Sequence, residues 1–128
     1  PVSSPSALLD ISALSQEAGV SSRTIRYYGE KGLLKADHRG AGGRRMFGPD
    51  ALERLLFIGR LKNLGLTLEE IGTLNQSFDR GKTAAMLGDL ESLLHDRRLE
   101  VAARIKELQH LDQELAAYQM RIRTKRNS

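Results

Sequence analysis

The chain has 128 residues, of which 40% are hydrophobic, 28% charged and only 5% aromatic, and its formal net charge is +4 at neutral pH. That length suits one ordinary domain, or a small domain plus an extended element, and no segment approaches the roughly 20 consecutive apolar residues of a membrane span. There is no cysteine, which excludes a disulfide scaffold, a thiolate metal site and a cysteine-ligated iron–sulfur cluster and fits a cytoplasmic protein.

In chain order, the opening Pro1-Val-Ser-Ser-Pro-Ser6 lacks the basic-then-apolar layout of a secretory signal, and residues 1–10 read as a flexible tail. Residues 11–20 read as a short helix capped by Ser12 and turned by Gly19. The next run, Val20-Ser-Ser-Arg-Thr-Ile-Arg-Tyr-Tyr-Gly-Glu-Lys-Gly-Leu-Leu34, is a second short helix. Ser21 or Ser22 can cap its start, because a hydroxyl there accepts a bond from an orphan backbone N–H, and Gly32 suits the left-handed position at its end. Ile25 and Tyr28 lie three apart and share a face; Arg23, Arg26, Tyr27 and Glu30 fall opposite. Two short helices joined by a glycine turn form a helix-turn-helix, whose second helix enters a DNA groove.

Past Leu34 the pattern changes. Three glycines in four residues, Gly40-Ala-Gly-Gly43, sit between short potential strands, with Arg39, Arg44 and Arg45 on or beside them. This predicts a hairpin wing whose arginines grip phosphates beside the recognition helix. Pro49 opens a third helix with a buried stripe of Leu52, Leu55, Leu56, Ile58 (or Gly59) and Leu61, closed by Gly65. Thr67-Leu-Glu-Glu70 is a capping box for a fourth helix that buries Ile71, Leu74 and Phe78. Of the cations on this second helical pair, Arg60 is the candidate phosphate contact.

Glycine nearly vanishes after residues 79–82, and residues 83–123 read as one helix roughly 60 Å long. Its seven-residue column, Leu87, Leu94, Val101, Leu108, Leu115 and Ile122, is apolar throughout. The column three residues on, Leu90, Arg97, Arg104, Leu111 and Tyr118, is apolar at its ends and cationic in its middle. That is a coiled-coil seam, and a helix this long with so narrow a stripe needs a partner. The plainest partner is the same helix of a second chain. Leu87, Leu90, Leu94, Val101, Leu108, Leu111, Leu115, Tyr118 and Ile122 are the candidate dimerisation residues, with residues 124–128 a basic tail.

Charge is unevenly spread. Residues 21–62 hold ten Lys and Arg against four Asp and Glu, and the last eight residues hold four cations and no acid. The first concentration is the footprint a nucleic-acid partner requires. The second complements the dipole at a helix C-terminus. His38, His95 and His110 show no metal spacing, the glycines at 40–43 lack the strand–helix context of a phosphate loop, and no Ser or Asp has a catalytic setting. No enzyme, metal or cofactor is expected.

Two stretches resemble the MerR family of bacterial transcription regulators. V-S-S-R-T-I-R-Y-Y-G-E-K-G-L-L is similar to the family's recognition-helix signature. R-R-M-F-G-P-D-A-L-E-R-L-L-F-I-G-R-L-K-N-L-G-L-T-L-E-E-I is similar to its wing and second helix pair. The resemblance spans residues 11–74 in order and spacing. It implies a mainly α fold: a winged helix-turn-helix head over residues 11–78 and a long C-terminal helix paired in an antiparallel coiled coil. It also implies a homodimer on a palindromic promoter in double-stranded DNA, bent and untwisted so that RNA polymerase can use it. The candidate DNA-binding residues are Arg23, Thr24, Arg26, Tyr27, Tyr28 and Lys31 of the recognition helix, Arg39, Arg44 and Arg45 of the wing, and Arg60.

Three positions depart from the family pattern: Gly29 for an acid, Phe47 for Tyr and Gly48 for a capping side chain. Metal-sensing members place cysteines at the long helix, and this chain has none, so a small organic effector is expected. The alternatives are a ligand-independent repressor or a DNA architectural protein. A coiled-coil scaffold would leave the arginines of residues 21–62 unexplained.

Overall fold

The computed structural model describes residues 8–36 and 38–128. Its helices are α1 (Ile11–Ala18), α2 (Ser22–Glu30), α3 (Pro49–Asn63), α4 (Leu68–Asp79) and α5 (Thr83–Asn127). Strands β1 (His38–Arg39) and β2 (Arg45–Met46) pair antiparallel between α2 and α3. The chain is thus mainly helical with a small wing. Residues through Met86 form one unit and Leu87–Ser128 a second. No helix of the described residues is long and apolar enough to cross a membrane.

Capping fixes where the first helices begin. Asp10, not Ser12, caps α1: its Oδ1 accepts the Ala13 N–H at 2.8 Å, while Ser12 already lies inside the first turn. Gly19 takes the left-handed conformation (φ 72°) that turns the chain into α2. The expected tail lies outside the described residues as far as residue 7. Beyond it, Leu9 exchanges two backbone hydrogen bonds with Phe47, of 2.8 and 2.7 Å, so Leu9 and Asp10 are held by the head.

The head is built around Leu14 of α1, Ile25 of α2, Leu34, Phe47, and Ala51 and Leu55 of α3, all buried. One apolar residue from each short element is enough to lock α1 against α2 and α3, because each side chain removes its area from water only when the others are present. In α3 the buried stripe is Ala51, Leu55, Ile58 and Leu61, whereas Leu52 is half-buried and Leu56 is 46% exposed. The stripe expected from the leucines is therefore rotated by one position. Small Ala51 takes the inward place at the start of the helix, and the 3.6-residue period then turns Leu56 outward. The capping box of α4 forms in full, with Thr67 accepting from the Glu70 N–H and Glu70 accepting from the Thr67 N–H. Ile71 and Leu74 are buried there; Phe78 is half-exposed, and Asn75 is the buried neighbour instead.

The second unit is α5 from Leu87 onward. The helix continues to Asn127, so residues 124–127 are helical, and from Arg98 onward every side chain is exposed. Val101, Leu108, Leu115 and Ile122 are 42–60% exposed, and Leu111 and Tyr118 equally so.

Candidate nucleic-acid interface

α2 presents the first surface. Ser21 Oγ accepts the Thr24 N–H at 3.1 Å and donates to Thr24 Oγ1 at 3.0 Å, so the Thr24 hydroxyl is engaged in the helix cap. Ile25, 1% exposed, anchors the inner face, and Tyr28 is half-buried against the same core. Anchored this way, the helix turns Arg23, Arg26 and Tyr27 into solvent. Lys31 places its ammonium 5.6 Å from the centre of the Tyr27 ring, and the Tyr27 and Tyr28 rings are 6.2 Å apart. Tyr27, 44% exposed, thus stands outward beside Lys31, while Tyr28 packs against the core.

The wing presents the second. Its turn runs through Gly42 and Gly43, both with positive φ (70° and 77°), a conformation side chains with a Cβ rarely adopt. Arg39 spans the turn, donating from Nη1 to the Gly43 carbonyl at 3.1 Å. Arg44 reaches Asp10 Oδ2 at 3.4 Å, so the carboxylate that caps α1 also tethers the wing. The ladder sets Arg39 directly opposite Arg45. Like charges in that position repel, and an anion beside them would relieve the repulsion.

A groove of about 340 Å³ brings the two surfaces together, with Arg26 of α2, Lys35, and Arg39 and Arg45 of the wing along it, and Glu30 as its acid. Arg23, Arg44 and Arg60 do not line it; Arg60 stands exposed in the last turn of α3. Lys35 was not among the residues singled out by sequence, although it follows the buried Leu33-Leu34 pair and opens the wing. Four cations around one acid in a trough between a helix and a ribbon can hold a phosphate backbone, and α2 beside them can offer side chains to base edges. Among the described residues no group of three or more His, Asp or Glu is placed to hold a metal ion.

The profile of the MerR HTH family of regulatory proteins matches residues 9–77, more than half of the chain, and that of the MerR DNA-binding region matches residues 52–118. The chain belongs to the MerR family. It is a DNA-binding transcription regulator of that family. The HTH-type transcriptional regulator ZntR homolog of Haemophilus influenzae is 36% identical over 84% of this chain and 78% of its own. The crystal structure of PbrR691 from Ralstonia metallidurans, in complex with lead(II), superposes with a TM-score of 0.70 at 33% identity, over 84% of this chain and 81% of that one. HiNmlR, a MerR family regulator lacking the sensor domain and bound to promoter DNA, superposes with a TM-score of 0.66 at 25% identity, over 88% and 91%. The MerR head is thus where this chain's groove and exposed α2 face lie.

Proposed function

We propose that this MerR-family chain acts as a homodimer, joined by antiparallel pairing of α5, on a palindromic promoter site. Arg23, Arg26 and Tyr27 of α2 face the major groove, with Thr24, Tyr28 and Lys31 setting the helix. Arg39, Arg44 and Arg45 hold phosphates, as does Arg60. The observation that carries this reading is the groove shared by Arg26, Arg39 and Arg45, because it brings cations from two elements together.

Two heads on one stiff coil have a fixed separation. They match half-sites at one spacing, and DNA with another spacing must bend and untwist, at a cost on the order of a few kcal/mol. Realigned promoter elements then become usable by RNA polymerase. An effector acts by binding two arrangements of the dimer unequally. For this chain the effector is a small organic molecule: the relatives named for mercuric resistance or found with lead(II) concern soft ions, and no thiolate is available here to hold one. The test is affinity for promoter DNA whose half-sites are moved by two base pairs in either direction. Tight binding at one spacing alone supports a rigid dimer; equal affinity at all three shows independent heads.

A further inference from the structure

The head carries a second cavity, of about 460 Å³, and every residue that lines it belongs to the first unit. One face of each of two helices builds it. On α3 the lining positions are Asp50, Glu53, Arg54 and Phe57, spaced three and four apart; on α4 they include Asn75, Phe78 and Asp79. The volume is that of a small-molecule site.

Its polar groups do not balance one another. Arg54 is the single cation, and it gives two hydrogen bonds to Asp79. Asp50 and Glu53, both exposed, are left without a cation in ion-pair contact among the described residues. Asn75 is buried, 6% exposed, and its Nδ2 has no hydrogen-bond partner among them. It precedes Asp79 by one turn, so the unpaired donor lies roughly 6 Å along α4 from the grip of Arg54. A buried amide donor left unmade is costly, and leucine would fill the same space without that cost. A bare metal ion does not suit the cavity, because no group of three or more His, Asp or Glu is placed to hold one among the described residues, and much of the wall is apolar.

We propose that this cavity binds a small organic cation that carries a hydrogen-bond acceptor. Its positive group sits against Asp50 and Glu53, its apolar body against Phe57 and Phe78, and its acceptor takes the Asn75 amide proton. The site deepens the organic-effector reading above and rests on it for its consequence in transcription; the binding itself stands on the cavity.

Three probes of one shape separate the elements of the proposal in the full-length protein: 4-methoxybenzylamine, 4-methoxybenzyl alcohol without the charge, and 4-methylbenzylamine without the acceptor oxygen. Titrations followed by NMR of the side-chain amides read Asn75 directly. The expected result is a shifted Asn75 amide with 4-methoxybenzylamine and weaker binding of each analogue by roughly threefold to tenfold. Asp50→Asn or Glu53→Gln should weaken the amines roughly twofold to fivefold and leave the alcohol unchanged. Asn75→Leu should erase the preference for methoxy over methyl and raise the melting temperature, since the unpaired donor is gone. No binding up to millimolar 4-methoxybenzylamine, equal affinity for all three probes, or a lower melting temperature in Asn75→Leu overturns the proposal. Promoter affinity measured in the same samples separates it from the effector reading. An Asn75-dependent complex that leaves DNA binding unchanged upholds the site and removes its effector role. An organic inducer that still acts on Asn75→Leu and Glu53→Gln upholds the effector reading and overturns this site.

Discussion

Arg54 of α3 grips Asp79, the last residue of α4, with two hydrogen bonds, Nη1 to Oδ2 at 3.0 Å and Nη2 to Oδ1 at 2.5 Å. The guanidinium also lies 5.9 Å from the centre of the Phe78 ring. One side chain thus fastens the C-terminal end of α4 to α3. The hydrogen bond from Arg54 is the main reason the Asp79 carboxyl sits below its ordinary value of 3.8, and the same bond raises Arg54.

Asp79→Asn should cost about 1 kcal/mol at neutral pH, the upper end for an ion pair whose carboxylate is half-exposed. The sign of its pH dependence follows from the lowered value. The contribution is complete above the ordinary value of 3.8 and fades as pH falls toward the depressed folded value. Thermal melts of the two proteins should therefore converge below about pH 4; a constant gap into that range would show that the pair's charge is not what stabilises.

Asp10 has two oxygens with two tasks, and two substitutions separate them. Asp10→Ala removes the cap of α1 and should lower stability by about 1 kcal/mol. Asp10→Asn keeps an oxygen for the Ala13 N–H while discharging the contact to Arg44, and should melt near the wild type. Equal losses in both variants would mean that the ionic contact, and not the cap, carries the effect.

On the DNA-binding face, Arg45→Ala should weaken binding to all sequences alike and flatten the dependence of log K on log salt by about one phosphate's worth. Arg26→Ala should do the same and, where its guanidinium reaches a base edge, also blur site preference. Anisotropy titrations over a salt series distinguish the two. Unchanged affinity in both variants would take the groove out of DNA binding.

Much of this head is legible in the sequence, because caps and glycines act over three or four residues. Ser21, Thr67 with Glu70, and the glycines at 19 and 32 fix helix ends locally, and the local signal was sufficient. The failures have a common origin in contacts between distant residues. Asp10 was open to recognition as a cap, since Asp there is as good as Ser, but its second task depends on Arg44, 34 residues away. The Arg54–Asp79 pair spans 25 residues. The outward turn of Leu56 and Phe78 depends on which side of α3 and α4 meets its neighbours, and leucine counting does not reveal that a small alanine takes the inward place. For the binding surface, sequence named Arg26, Arg39 and Arg45 singly; only the folded backbone shows them sharing a groove with Lys35.

For the coil, the double variant Leu108→Asp, Leu115→Asp places charge on the apolar column and should abolish dimerisation at micromolar concentration. Sedimentation velocity reads this directly. A full dimer in that variant would mean that the seam lies on another face of α5.

The exposed column of α5 also has a genetic consequence. In the proposed dimer, chains select one another through residues that take no part in touching DNA. A copy with α5 intact but Arg26 and Arg45 removed would still be accepted as a partner. When both copies are made in one cell, most dimers would carry at least one disabled head, and the defect would be dominant over the functional gene. A copy broken in α5 itself would remain unpaired and be recessive. Expressing each variant alongside the wild type would therefore sort lesions of the head from lesions of the coil by inheritance alone.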